Sequence, residues 1–174
     1  GNPDQLAVMC NLMLERQVDG LLLLTPCPLT RQPLDCDLPT VTLAYPLEGP
    51  HVINVDVDNI DGSYQAARHL TSLGHRRIGV VAGPRGWKAA ADRVEGARRA
   101  LAEVGENLEP LQVEHCADWT LEAGYTAVRA LWRRQEGLTA LICANDWIAL
   151  GVYRFLREQG LRIPDDVSVV GFDD

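Results

Sequence analysis

No stretch of the 174 residues approaches the roughly 20 consecutive apolar residues that a membrane-spanning helix needs. Gly1 to Leu14 have neither a basic start nor a run of small residues fit for cleavage, so no export signal is read there. Positive charge is in short supply. Sixteen Lys and Arg stand against 24 Asp and Glu, a formal net charge of -8, which repels a phosphate backbone instead of recruiting one. A nucleic-acid partner would have to be held by another segment. The five cysteines, at positions 10, 27, 36, 116 and 143, form no CxxC pair and have no ligand spacing with the four histidines. An odd number also leaves one outside any disulfide scheme, so reduced thiols in a cytoplasmic protein are expected. No HExxH, GxGxxG or P-loop lysine motif is present, and neither metal nor cofactor is expected.

What remains is ample for a core, since 47% of the residues are hydrophobic and a chain of this length removes roughly 70% of its unfolded surface from water. Apolar runs of strand character recur at Gly20 to Leu24, Thr40 to Leu43, Val52 to Val55, Ile78 to Ala82, Leu111 to His115, Ala140 to Cys143 and Val167 to Phe172. Amphipathic helices are predicted between them. From Asn59 to Leu73, the residues Tyr64, Ala67, Leu70 and Leu73 share a face and Gly74 follows as a stop. From Asp146 to Gln159, Ile148, Val152, Phe155 and Leu156 do the same and Gly160 follows. Alternating strand and helix predicts an α/β fold with parallel sheets wound by right-handed crossovers. Thr25 to Pro50 carries six of the ten prolines and reads as loops around one short strand.

Open parallel sheets bind ligands beyond the carboxyl ends of their strands. Those ends are polar here: Asp56 to Asp61, Gly83-Pro84-Arg85-Gly86 with Arg93 further on, Asp118-Trp119, Asn145-Asp146, and Gly171-Phe172-Asp173-Asp174. Carboxylates, an amide, a guanidinium and an indole suit a polyol, offering hydrogen bonds to adjacent hydroxyls and an apolar cover for a sugar face. Plainer readings stand beside this. Asn145 and Asp58 fit helix N-caps, Asp146 and Asp166 are read as structural, and Trp119 fits a packed aromatic as well as a ligand lid. Trp87, Trp132 and Trp147 are read as packing residues, and all four histidines as structural. Gly83 to Gly86 is a weak likeness to a phosphate cradle.

Three strings together, VDVDNIDGSYQAARHLTSLGHRRIGVVAGP, DRVEGARRAL and ALICANDWIALGVYRFLREQGLRIPDDVSVVGFDD, resemble the lactose/galactose repressor family in order and spacing from Gly20 onward. The resemblance implies a periplasmic-binding-protein-like (type I) fold of two doubly wound lobes, incomplete at both ends. Residues 1–75 would belong to the first lobe and 76–174 to the second, with a crossing near Gly74 to Arg77 and an effector in the cleft. It further implies that Asp61, Arg93, Trp119, Asn145 and Asp173 contact a small, sugar-like effector. The family's DNA-binding headpiece, first strand and final crossing are not seen in this sequence, so operator DNA would be bound by a segment not present here.

By the same resemblance the helix Asp146 to Gln159 lies on a homodimer axis, with Leu150, Tyr153 and Arg154 off its buried stripe. The expected function is effector sensing for a cytoplasmic transcriptional repressor, without enzymatic activity. Two alternatives stay open: a sugar-binding transport receptor, and a metal-dependent phosphoryl-transfer enzyme using Asp173 and Asp174.

Overall fold

The computed structural model describes residues 3–24, 32–33, 37–44 and 47–173. The chain forms two compact units, Gly1–Val57 and Asp58–Asp174. This division lies upstream of the expected one after residue 75. The reason is the helix that follows Val57: its buried Ala67 and Leu70 pack with the helix and strands of the second unit.

In the first unit, helix α1 (Pro3–Glu15) precedes strands β1 (Leu21–Leu24), β2 (Gln32–Pro33), β3 (Thr40–Leu43), β4 (Leu47–Glu48) and β5 (Val52–Val55). β1, β3 and β5 form a parallel sheet in that order, and β2 pairs with β4. Cys10 and Leu47 are buried at its centre against Leu21, Leu23, Leu38 and Val52. Asn54 ties the strands by accepting from Thr42 Oγ1 at 2.7 Å and Leu47 N at 2.9 Å. Alternation places Leu22, Leu24, Ile53 and Val55 on the other face, where they are exposed.

The second unit runs α2 (Asn59–Ser72), β6 (Ile78–Ala82), α3 (Lys88–Glu103), β7 (Val113–His115), α4 (Leu121–Arg134), β8 (Ala140–Cys143), α5 (Asp146–Glu158) and β9 (Ser168–Val170). Its sheet is parallel, in the order β7-β6-β8-β9. Residue parity assigns each strand side chain to a layer. Ile78, Val80, Ala82, Ala140 and Ile142 face α2 and α3, where Ala67, Leu70, Ala97 and Leu101 close one core. Val81, Leu141 and Cys143 face α4 and α5, meeting Val128, Leu131, Ile148, Val152 and Leu156 in the other. Both faces of the sheet are thus covered, which is why β6 and β8 read as unbroken apolar runs.

Both predicted glycine stops hold. Gly74, at φ +92°, follows α2 with His75 N donating to Leu70 O at 3.2 Å and Gly74 N to Thr71 O at 3.1 Å. This doubled pattern satisfies the last carbonyls of the helix. Gly160 repeats it after α5, with Leu161 N on Leu156 O and Gly160 N on Arg157 O, both at 3.0 Å. His75 fits its structural reading: its ring nitrogens meet Thr139 Oγ1 at 2.9 Å and Ser168 Oγ at 3.1 Å, pinning the amino ends of β8 and β9.

Cys10, Cys116 and Cys143 are buried, the last two as free thiols, while Cys27 and Cys36 lie outside the described residues. Trp132 packs on Phe155 at 6.3 Å between ring centres, as a core residue does. Trp147 departs from its expected packing role. It is 63% exposed, because α5 turns Ile148 and Val152 to the core and carries Trp147 on the outward side with Leu150. None of the described helices is long and apolar enough to cross a membrane.

Candidate functional site

β7 lies on one side of β6 and β8 on the other, so the chain reverses direction across the sheet at β6. The crevice beyond the carboxyl ends at such a switch is where open α/β sheets bind ligands. Arg93, in the second turn of α3, is the hub of this rim. Its Nε donates to Asn59 Oδ1 at 2.8 Å, its Nη1 donates to the carbonyl of Ala144 at the end of β8, and its Nη2 lies 3.4 Å from Asp173 Oδ1 beyond β9. The Phe172 ring stacks on the guanidinium with 3.7 Å from Cζ to the ring centre, and the Trp119 ring stands at 5.8 Å.

The string Asp58-Asn59-Ile60-Asp61-Gly62 acquires a physical meaning here. Asp58 caps α2 by accepting from Asp61 N at 2.9 Å. Asn59 is only 4% exposed and holds Arg93. Gly62 makes room for Phe172, since a Cβ there would sit 2.8 Å from the Phe172 Cζ. Ser63 adds a bond from its hydroxyl to the Arg93 carbonyl. Asn59 and Phe172 escaped the sequence reading: the first looked like a helix start and the second like the end of a strand. The signal for both was the glycine at 62, an otherwise poor helix residue.

Trp119 sits on a short turn fixed by Asp118, whose Oδ1 accepts from Thr120 N at 2.9 Å and from the Thr120 hydroxyl. Those two bonds, the side-chain one foremost, hold the Asp118 carboxyl below its ordinary range. The indole meets Trp87 edge-on, with 5.6 Å between ring centres and 78° between planes. Its Nε1 is buried without a hydrogen-bond partner. Asn145 is an N-cap, accepting from Ile148 N at 2.8 Å through Oδ1, and its Nδ2 faces the Trp119 carbonyl at 3.5 Å. The capping reading of Asn145 therefore holds together with a place at the rim.

Asp173 adopts φ +109°, a conformation that side chains disfavour. Desolvation raises its carboxyl above the ordinary range, the Arg93 charge acts against that shift, and the Asp146 carboxylate adds to it. Asp146 is also at the rim, because its Oδ1 occupies the space that a Cβ on Gly171 would fill. Asp166 keeps its structural role, accepting from Arg162 N at 2.8 Å and from the Arg162 guanidinium.

Arg93, Trp119, Asn145 and Asp173 therefore come together, whereas Asp61 stands apart. Its carboxylate accepts from Gln65 Nε2 one turn along α2, and among the described residues it makes no bond to the other four. Position 61 is the third residue of the helix, and α2 packs Ser63, Ala67 and Leu70 inward, which leaves Asp61 on the solvent side. Leu150 and Tyr153 are 47% and 39% exposed on α5. Arg154 bonds Glu158 at 3.1 Å and stands 5.0 Å over the Tyr125 ring. Asp174 lies outside the described residues.

The doubly wound sheet with a charged and aromatic rim defines a ligand-binding domain, and residues 67–174 match the family of periplasmic binding protein-like domains. The chain belongs to that family, and its curated relatives are HTH-type transcriptional regulators and repressors. It is 38% identical over 164 residues to the HTH-type transcriptional regulator CelR of Thermobifida fusca, covering 91% of this chain and 48% of that protein. It is 34% identical over 178 residues to the HTH-type transcriptional repressor PurR of Haemophilus influenzae, covering 99% and 52%. A solved complex of the transcriptional regulator CelR with cellobiose superposes with a TM-score of 0.83 at 35% identity, over 99% of this chain and 54% of that one. The chain spans about half the length of the curated relatives it matches.

Proposed function

We propose that this chain is the effector-sensing part of a DNA-binding transcriptional repressor, and that its rim takes a small sugar or sugar-like molecule. The observation that carries the reading is the Arg93–Asp173 pair at 3.4 Å, set between Phe172 and Trp119 at the switch point of a parallel sheet. An ionic donor and acceptor side by side suit vicinal hydroxyls, and charge-assisted bonds of this kind contribute about 1.5–3 kcal/mol each. Flat aromatic faces suit the C–H face of a sugar ring. The relative solved with cellobiose supports the ligand class.

In this reading the protein works in the cytoplasm as a homodimer through Leu150, Tyr153 and Arg154, and its operator is read by a separate segment. Effector binding changes operator affinity only through its differential affinity for the two conformations. The deciding experiment is a thermal-shift screen of the intact protein over mono- and disaccharides, sugar phosphates and nucleobases, since a ligand of the folded state raises apparent stability. Stabilisation by a sugar that also alters operator binding is expected. A response confined to nucleobases overturns the sugar assignment.

A further inference from the structure

The loop after β6 begins with Gly83, which is buried. Its carbonyl accepts from His115 Nδ1 at 2.9 Å, so the end of β7 fixes where this backbone lies. The benzo edge of Trp119 rests directly on it. A Cβ at position 83 would stand 2.5 Å from Trp119 Cζ3 and 2.8 Å from Cζ2, closer than packed carbon atoms tolerate. Trp87 meets the indole edge-on, with 5.6 Å between ring centres, so an indole displaced from Gly83 would disturb that contact.

We infer that Gly83 is a positioning residue for Trp119, and through it sets which ligands the rim admits. Lacking a side chain, residue 83 lets the benzo edge of the indole press against the end of β6, with the ring beside Arg93. Any side chain there lifts the ring off the rim, breaks its contact with Trp87 and changes the space left for a flat ring ligand. The statement about ligands rests on the sugar-binding reading above, whereas the placement of the indole does not. The Gly83 to Gly86 loop is thereby an indole platform and owes its glycine at 83 to that contact.

Two measurements on the intact protein test this. In the first, the far-ultraviolet exciton signal of the Trp87–Trp119 pair is isolated by subtracting the spectrum of Trp87→Phe. Gly83→Ala should abolish that signal and lower the melting temperature, and Gly83→Ala in a Trp119→Leu background should cost little, because leucine yields the space. A Gly83→Ala protein that fails to fold while the double variant folds supports the inference equally. An unchanged exciton signal, an equal loss in both backgrounds, or a double variant that also fails to fold overturns it.

The second measurement is calorimetric titration with cellobiose. Affinity should fall about tenfold or more for Gly83→Ala and show no further fall when that change is added to Trp119→Leu. Equal losses in the two backgrounds overturn the specificity claim. If neither cellobiose nor any other sugar binds the wild type, the sugar reading fails, while the exciton result still decides the placement of Trp119.

Discussion

Arg93 and Asn59, 34 residues apart in sequence, are joined by a 2.8 Å bond from the guanidinium Nε to the buried Asn59 amide oxygen. The aim of the guanidinium toward Asp173 therefore depends on a residue on another helix that need not touch a ligand itself. Removing a bond to a charged group costs about 1.5–3 kcal/mol, and every 1.4 kcal/mol is tenfold in affinity. Asn59→Ala is expected to weaken effector binding about tenfold. In an Arg93→Ala background the same change should cost nothing more, because its route to the ligand is gone. Additive losses in the two single variants would show that Asn59 acts independently of Arg93.

Asp173 gives the site a distinctive pH dependence. Desolvation raises its carboxyl, so it takes up a proton at higher pH than an ordinary carboxylate. The folded state holds this proton more tightly than the unfolded chain, so its stabilising contribution is present at low pH and is lost as pH rises through the raised value. A hydroxyl bond to the ionised form runs the other way. Effector affinity should fall on acidification, starting above the ordinary carboxylate range, and Asp173→Asn should flatten that part of the profile. Retention of the same pH dependence in Asp173→Asn would move its origin to another group.

The thiols supply a second chemical test. Burial pushes the Cys116 thiol up to about 12, with the Asp118 and Glu114 carboxylates adding to the shift. Cys143 is also raised, first by burial. Thiolate is the reactive form, so at neutral pH both residues should resist iodoacetamide in the folded protein and react on unfolding. Mass spectrometry of digests reads each site separately, and rapid labelling of Cys116 in native protein would contradict its packing.

The outward side of α5 bears Trp147, Leu150 and Tyr153, which are 63%, 47% and 39% exposed. Such an apolar strip suits an isologous contact, in which one patch meets its own copy. Leu150→Arg is expected to convert a dimer into monomer in light scattering at micromolar concentration while leaving the melting curve of the monomer two-state. A wild type that is monomeric under the same conditions removes the proposed dimer.

How far these features could be read from the sequence depends on how local their causes are. β6, β8 and both glycine stops follow from periodicity and from single residues, and they lie where the pattern puts them. Arg93, Trp119, Asn145 and Asp173 were recognisable as strand-end or family positions, and topology gathers them. Asp61 was selected by the same resemblance, yet helix phase turns its carboxylate toward Gln65. Asn59 and Phe172 left only the glycine at 62 as a signal, and Gly83 only a weak likeness to a phosphate cradle, because each is defined by a partner at least 30 residues away in the chain.

Glycines also set how closely the helices approach, which leads to a prediction that opposes helix propensity. Gly151 on α5 faces Gly124 on α4 so closely that a Cβ on Gly151 would stand 2.6 Å from Tyr125 N, and one on Gly124 would stand 2.5 Å from Ile148 O. Gly96 on α3 meets α2 in the same manner, 2.8 Å from Tyr64 N. In an exposed helix, alanine would be better than glycine by about 1 kcal/mol. Here the obstacle is backbone, which cannot turn aside as a side chain can, and overpacking costs about 1–3 kcal/mol. At the upper end of that range the net loss is about 2 kcal/mol, or roughly 4–8 °C in melting temperature for a chain of this size. Gly151→Ala and Gly96→Ala should each show that loss in calorimetry, whereas Arg129→Ala on the exposed side of α4 should leave the melting temperature within about 1–2 °C of wild type. A Gly151→Ala protein that melts at or above the wild-type temperature would mean that α4 and α5 can separate without cost, and the close helix contact would then have no part in holding the second unit together.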